Sequence, residues 1–433
     1  MGSVAFQTAG VVTGLGVVSP IGIGIEPFAE SLRTGRSGIA PVTMYNGITS
    51  PGGIGGEVKD FTEESMKKNW LKDQRKWIKV MCREIAMGSA SATLALTDSG
   101  LDLEKVDRHR LGVEFGANLM FFMPDAMSDP CKACTDENGD FHFEQWGGIG
   151  MPKMEPLWLL KYLPNMPACH IAINADARGP SNSLTMDEAS ANATAAEALS
   201  VLRRGAADAM IVGTTGTRIH PTKAIHARQW DQVGYDSAHP ELSCKPFDTE
   251  RSGQVVGEGA ATVIVETSEH AAARGAHVYG RLLAGASSCA TERDGTPLPK
   301  LALVNAMRAA LRQSGLTPAD IGHVNAHGLG SRLEDQFEAE AIREIFGEHS
   351  VPVTAYKGFY GNAGASSGSI DLVATFLSLR DGVLYPALGS RTPDPTCGLN
   401  LVVGEPRKIE NKHFMKLSYT RRGQASVLIG VGA

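Results

Sequence analysis

Two segments of this chain, about half its length apart, carry the same signature. AEALSVLRRGAADAMIVGT (196–214) and ATFLSLRDGVLYPAL (374–388) each read as a small-residue helix ending in Leu-Arg-x-Gly, followed by an apolar run, with Gly205 and Gly382 at the matching point. Self-similarity at that spacing predicts a duplicated α/β unit. Length alone, at roughly 150 residues per domain, would divide the 433 residues into two or three domains. The duplication instead predicts two similar halves sharing one core. The boundary is expected near Ala273-Arg274-Gly275, between the runs ATVIVET and VYGRLLAG. That gives an N-terminal half over 1–272 and a C-terminal half over 273–433.

The rest of the chain reads the same way. VAFQTAGVVTGLGVVSP is a β-rich run that turns at Ser19-Pro20, and IEPFAESLRTGRSGI has helical spacing up to Gly35. CREIAMGSASATLALTDS (82–99) predicts an Ala-rich helix stopped by Gly100, and LGVEFGANL the next strand. Between about 121 and 167 the pattern fails, and a long excursion is expected there, a lid or an interface arm. The 49 Gly and 22 Pro show no period, which fits a loop-rich α/β protein and excludes collagen-like or low-complexity structure. With 42% hydrophobic and 20% charged residues, disorder is excluded too. A net charge of −6 without a basic run argues against a nucleic-acid partner. Seven scattered cysteines do not make a disulfide framework and predict a cytoplasmic protein. The first charge comes at Glu26, but glycines interrupt every apolar stretch before it, so no membrane segment or signal peptide is expected.

Several motifs have bland readings that prevail. Cys131 and Cys134 have metal-ligand spacing with His142 nearby, but no second such pair exists, so no metal is expected. GASSG (364–368) has the spacing of a hydrolase elbow, with Asp371 or Asp381 and His413 downstream. An elbow directly follows a buried strand, whereas YKGFYGNAG precedes Ser366; the glycines are read as sites of close helix packing. TGLGVVSPIG lacks the third glycine and the acidic residue of a dinucleotide loop, so no cofactor is expected. Three segments carry more information: RGPSNSLTMDEASANATAAEAL (178–199), VNAHGLGSRLEDQFEAEAIREIFG (324–347) and AYKGFYGNAGASSGSID (355–371). The first places Glu188 at a loop-to-helix junction, where free N–H groups and the helix dipole favour an anion. His327 follows a short β-like run in a glycine turn.

Together with CKPFDTERSGQVVGEGA (244–260) and VNAHG, these segments make the chain resemble the β-ketoacyl-ACP synthase II type of condensing enzyme over nearly its whole length. The resemblance implies a thiolase-like α/β fold, two pseudo-dyad-related αβαβα halves in one five-layered core. It implies fatty-acid or polyketide biosynthesis, an acyl carrier protein with its phosphopantetheine arm, and a dimer whose second subunit is either identical or an active ketosynthase. Members of that family use a Cys in TACxSG, a His in NAHGTST and a second His in KSxxGHxxGAAG. The matching positions here are Glu188, His327 and Asn362. The family lysine is kept as Lys357, the acidic residue beyond it as Asp371, and the acidic pair after the first His as Asp335 and Glu338. Leu329 and Ser331 stand for the threonines that hold phosphopantetheine, and Arg421 for the gatekeeping Phe in TRRGQA (420–425).

A carboxylate cannot stand in for a thiolate in elongation, because no thioester forms on it, so condensation is expected to be lost. Cys169 and Cys244 lie too far from the Glu188 helix start in motif order to replace it. Three readings follow: a partner subunit similar to chain-length factors, a malonyl decarboxylase, or an acyl-thioester enzyme with Glu188 as general base and His327 or Asn362 polarising the carbonyl. An ionised Glu188 about 4 Å from a malonyl carboxylate would cost on the order of 4 kcal/mol at an effective dielectric of 20, which weighs against decarboxylation. Glu188 also needs a cation in a closed pocket. The expectation is an ion pair with Arg421, with Arg422 in reserve; the alternative is Glu188 held by His327 or backbone amides.

Overall fold

The structure is a computed structural model and describes residues 10–433; the start of the first β-rich run, 4–9, lies outside them. The first half contains strands β1 (Gly10–Ser19), β2 (Leu111–Ala117), β3 (Ser181–Leu184), β4 (Ala209–Thr217) and β5 (Glu258–Glu266). The second contains β6 (Gly280–Cys289), β7 (His323–Asn325), β8 (Pro352–Thr354), β9 (Asn400–Leu401), β10 (His413–Tyr419) and β11 (Gln424–Gly432). The main helices are α1 (Ile25–Arg33), α2 (Arg83–Ser99), α3 (Met166–Ala175), α4 (Ser190–Arg203), α5 (Pro221–Trp230), α6 (Pro299–Ser314), α7 (Arg332–Phe346) and α8 (Ala365–Asp381).

The strands run in the order β9-β8-β7-β10-β11-β6-β1-β5-β4-β2-β3. Read outward from β1, the first half is first, fifth, fourth, second, third strand; read outward from β6, the second half is the same, with β9 added at its edge. The directions repeat as well. β2 is parallel to β3 and β4, and β4–β5 and β5–β1 are antiparallel. Likewise β7 is parallel to β8 and β10, and β10–β11 and β11–β6 are antiparallel. The halves meet where β1 and β6 pair over Gly10–Val12. In both, a helix follows the third strand: α4 and α8, which touch each other and strands of both halves. They form the middle layer, with α2 and α3 outside one half-sheet and α6 and α7 outside the other, the five layers that the resemblance implies.

Small residues make the middle layer possible. A Cβ on Gly368 of α8 would lie 2.6 Å from the Ala191 Cβ of α4, so the glycine lets the two helices cross closely. The repeated Leu-Arg-x-Gly ends both helices with a left-handed glycine, Gly205 at φ 70° and Gly382 at φ 71°, as helix C-termini prefer. The apolar runs after them part company. After Gly205 comes β4 of the main sheet, whereas Val383–Leu384 pairs with Arg407–Lys408 outside it, and the true counterpart of β4 is β10. The α2 helix stops at Gly100 in the left-handed conformation. Between β2 and α3 the excursion holds only short turns and one six-residue helix, Ser128–Ala133; Cys131 there is exposed and Cys134 buried, while His142 is bound to Asp136 and Glu144. Ser366 donates to the Ala363 carbonyl at 3.2 Å and His413 faces Asn411, so no hydrolase triad forms.

Candidate active site

In open α/β sheets ligands bind beyond the carboxyl ends of the strands, and the sequence places its unusual polar residues there. Asn118 follows β2, Glu188 lies past β3 and Arg218 follows β4; His327 lies past β7, Lys357 past β8, and Thr420–Arg422 past β10. They gather around a cavity of about 510 Å³ whose lining includes Glu188, Arg218, Leu329, Tyr419, Arg421 and Arg422.

Glu188 sits in a single 3-10 turn, Asp187–Ala189, that leads into α4. Asp187 has φ 49°, a left-handed conformation Asp tolerates better than most residues, and both carboxylates meet one guanidinium. Arg218 Nη2 is ion-paired with Glu188 Oε1 and lies 3.4 Å from Asp187 Oδ2, while Nη1 is 3.1 Å from Asp231 Oδ2. Asn362, in the loop before α8, donates from Nδ2 to Glu188 Oε1 at 3.0 Å and to Gln254 Oε1 at 2.5 Å. Its Oδ1 accepts from Gly364 N and Ser367 Oγ, which fixes the amide orientation. Both donors thus converge on Oε1 of Glu188. Burial pushes the Glu188 carboxyl up to about 7, against the opposing pull of Arg218. Burial lowers the Arg218 pKa, but Glu188, Asp187 and Asp231 outweigh it and hold the guanidinium above its usual value.

Behind this lies a second buried group. Asp371 of α8 binds Lys357 at 2.7 Å and Lys416 of β10 at 3.0 Å, and it accepts from the Tyr360 hydroxyl. Burial alone would raise its pKa; the two lysines overcome that and keep the carboxyl below its usual range. Burial pushes Lys416 down to about 8. Glu338 and Asp335 of α7 hold the loop that carries His327: Glu338 accepts from His327 N at 2.6 Å and Gly328 N at 2.9 Å, and Asp335 from Leu329 N at 2.9 Å and Gly330 N at 3.1 Å. Burial raises both carboxyls, Asp335 to about 7. The His327 ring is buried, lies edge-on to Tyr419 at 5.3 Å, and neither ring nitrogen has a partner among the described residues. Burial first, then Lys357, Lys416 and Arg218, push its pKa well down, so the imidazole is neutral. The Ser331 hydroxyl lies within hydrogen-bond reach of Gln232 and Glu334 and has one proton to give to either, and Leu329 presents an apolar side chain to the cavity; neither offers a free hydroxyl.

Residues 10–271 match the family described as "Beta-ketoacyl synthase, N-terminal domain", and residues 279–391 match "Beta-ketoacyl synthase, C-terminal domain". The chain belongs to the β-ketoacyl synthase family. It is 29% identical to a 3-oxoacyl-[acyl-carrier-protein] synthase 2 of Synechocystis over 92% of each chain. A protein of the same name from Coxiella burnetii is also 29% identical, over 97% of each chain. Solved structures with this ketosynthase fold include the ishigamide ketosynthase/chain length factor, with TM-score 0.83 at 23% identity over 98% of this chain and 99% of that one. A type II polyketide synthase ketosynthase in complex with its acyl-carrier protein gives TM-score 0.81 at 24% identity over 98% and 99%.

In this ketosynthase-family chain the expected Glu188–Arg421 pair is replaced by another. Arg218 is the cation on Glu188, and Arg421 Nε lies 3.6 Å from Asp231 instead. The reason is local: Arg218 is the residue after β4, held by its backbone bond to Gly257 close to the first turn of α4. Arg421 belongs to the turn between β10 and β11 and is 37% exposed at the rim. Arg422 is exposed beside it. Glu188 and Asn362 are brought together as expected; His327 is bonded to neither. Arg218, Asp231, Gln254 and Lys416 were not singled out from the sequence. A signal for Arg218 exists, since a charge that directly ends the apolar run MIVGTTGT marks the carboxyl end of a buried strand.

Proposed function

We propose that this chain is a ketosynthase-family protein of fatty-acid or polyketide biosynthesis in which Glu188 stands where condensing members carry their nucleophilic cysteine, and that it serves in the cytoplasm as a non-condensing subunit of the chain-length-factor kind. Its partner is a second copy or an active ketosynthase, and its visitor is an acyl carrier protein with a phosphopantetheine arm. One observation carries the reading: Glu188 and Asn362, at two of the three positions that would do chemistry on a thioester, are committed to each other and to their neighbours. Nδ2 of Asn362 spends both protons on Glu188 and Gln254, so it has none for a developing oxyanion, which needs preorganised donors. Oε1 of Glu188 is taken by Arg218 and Asn362. A thiol would form a thioester at this helix start; a carboxylate would give an anhydride, which cannot hold an acyl chain in water. The structural neighbours named as a ketosynthase/chain length factor and as a ketosynthase with its acyl-carrier protein support the partner assignment.

The alternative, an acyl-thioester enzyme using Glu188 as acid or base, has in its favour a carboxyl pushed up to about 7 and a buried His327 ring whose nitrogens have no partner among the described residues. Incubation with malonyl- and acyl-carrier proteins, followed by intact-mass analysis, separates the two. Unchanged protein mass with unchanged carriers supports the non-condensing subunit, and so does co-purification with a Cys-containing ketosynthase. Loss of CO2 from malonyl carrier, or an acyl adduct on any cysteine, overturns it. Light scattering is expected to give a dimer.

A further inference from the structure

Gln254 is the neutral polar group that the ion pairs of the cavity leave over. The residue is 5% exposed and lines the cavity beside Glu188. Its backbone is pinned on both sides: Gln254 N donates to the Gln232 carbonyl at 2.8 Å, and its own carbonyl accepts from Gly234 N at 3.1 Å. The direction of its side-chain amide follows from Asn362. Gly364 N and Ser367 Oγ donate to Asn362 Oδ1, so Nδ2 is the corner that Asn362 turns to Gln254, and it donates to Oε1 at 2.5 Å. Oε1 thus points to Asn362, which does not itself line the cavity, and Nε2 is the corner turned into it. An amide nitrogen has two protons to donate, and among the described residues Nε2 has no acceptor. A buried donor without an acceptor is costly; one held this firmly at a cavity wall is completed by what enters. The charges around it are already matched. Arg218 binds Glu188 and Asp231, and Arg421 lies against the other oxygen of Asp231, two guanidiniums for two carboxylates. Asp187, which also reaches Arg218, is 45% exposed and open to water; Glu334 lies within reach of the Ser331 hydroxyl, and the Lys223 ammonium is bound to Glu84 and the Thr217 carbonyl. A charged head group at the depth of Gln254 would give up its water without gaining a free counter-ion, whereas a neutral acceptor oxygen meets a donor. Phe121, Trp230, Tyr419 and Leu329 supply apolar wall for a stem, the usual make-up of a pocket in which a few fixed polar groups set specificity.

Resting on the reading that no acyl-enzyme forms at Glu188, we propose that this cavity is a binding site for a neutral carbonyl compound on an apolar stem and that Gln254 is its recognition residue, Nε2 donating to the ligand's carbonyl oxygen. A free amide and the acyl end of a carrier-borne chain share that chemistry. Carboxylates and ammonium groups are discriminated against, because neither offers a neutral acceptor to this donor.

Ligand-observed NMR titration of the full chain at pH 8 with hexanamide, hexanoate and n-hexylamine tests this. Hexanamide is expected to bind at least about tenfold tighter than either charged analogue. Equal affinities, or a charged analogue ahead of the amide, overturn the proposal with wild-type protein alone. In Gln254→Met, which keeps the length and apolar packing of the side chain but removes the donor, hexanamide affinity is expected to fall by at least roughly fivefold while the charged analogues are unmoved. Undiminished hexanamide affinity in a Gln254→Met protein with the wild-type near-UV circular dichroism overturns the assignment to Nε2. S-hexanoyl-N-acetylcysteamine separates the two sources: tighter binding than hexanamide supports the site and assigns it to a carrier-borne chain, and binding no tighter supports the site and assigns it to a free molecule. An acyl adduct in the mass experiment would instead sink the underlying reading of Glu188, so the two failures are distinct.

Discussion

In the function proposed for this chain, Glu188 sets what the pocket can do. Its carboxyl is pushed up to about 7 in the fold against roughly 4.3 in an unfolded chain, so between those values the folded protein binds more protons than the unfolded one. Stability contributed at this site therefore falls as pH rises from about 4.5 to 7 and is level above that. Comparing urea midpoints of wild type and Glu188→Gln across pH 5 to 8 should show wild type losing ground relative to the variant up to pH 7; a constant difference would refute the shifted carboxyl. Placing a thiol there tests the position itself. In E188C the new side chain would sit at the first turn of α4 beside Arg218, both of which depress a thiol pKa. The expected outcome is stoichiometric acylation by a short acyl-N-acetylcysteamine thioester, read as one added acyl mass, where wild type shows none.

At the scale of elements, the first strand was legible and its partner was not. The run GVVTGLGVVS announces a buried strand, and β1 is buried along its whole length. Why two glycines interrupt it appears only in the packing. A Cβ on Gly16 would stand 2.1 Å from the Ser91 carbonyl oxygen and 2.5 Å from Ala95 N of α2, so the bare backbone lets the outer helix lie directly on the strand. Gly16→Ala is expected to cost about 1–3 kcal/mol or more through overpacking, measurable as a lower urea midpoint with an unchanged slope. The α7 segment shows the same division. Its acidic pair was readable as family residues, but their task, Asp335 and Glu338 gripping four amides of the His327 loop, belongs to the folded helix and loop together. The excursion between β2 and α3 had no readable pattern because it contains almost no regular structure to impose one; its start, at Phe121, forms part of the cavity wall.

For the whole molecule, the repeated half explains why the chain must fold as one. The middle layer consists of α4 from one half and α8 from the other, and each packs on strands of both. The boundary we propose between the halves, 272/273, falls at the end of the short helix Ser268–Ala273 that links β5 to β6. Either half alone would leave one face of its central helix in water, so fragments 1–272 and 273–433 are expected to be insoluble or to lack a cooperative transition when expressed singly, and to recover one when co-expressed. A cooperative transition in an isolated half would refute the shared core. The amino-acid sequence by itself determined the duplication, the α/β class, the family, and which positions stand at the ends of the central helices, because these are written in local spacing and in motifs of adjacent residues. It also required a partner for Glu188, a cation or a set of hydrogen-bond donors, since a buried carboxylate is costly without one. Which cation was decided by tertiary structure alone: Arg218 and Arg421 are equally charged in the sequence, but only the register of β4 against its neighbours sets Arg218 beside α4 and leaves Arg421 at the rim, and distances between chain-remote groups exist only once the sheet is formed.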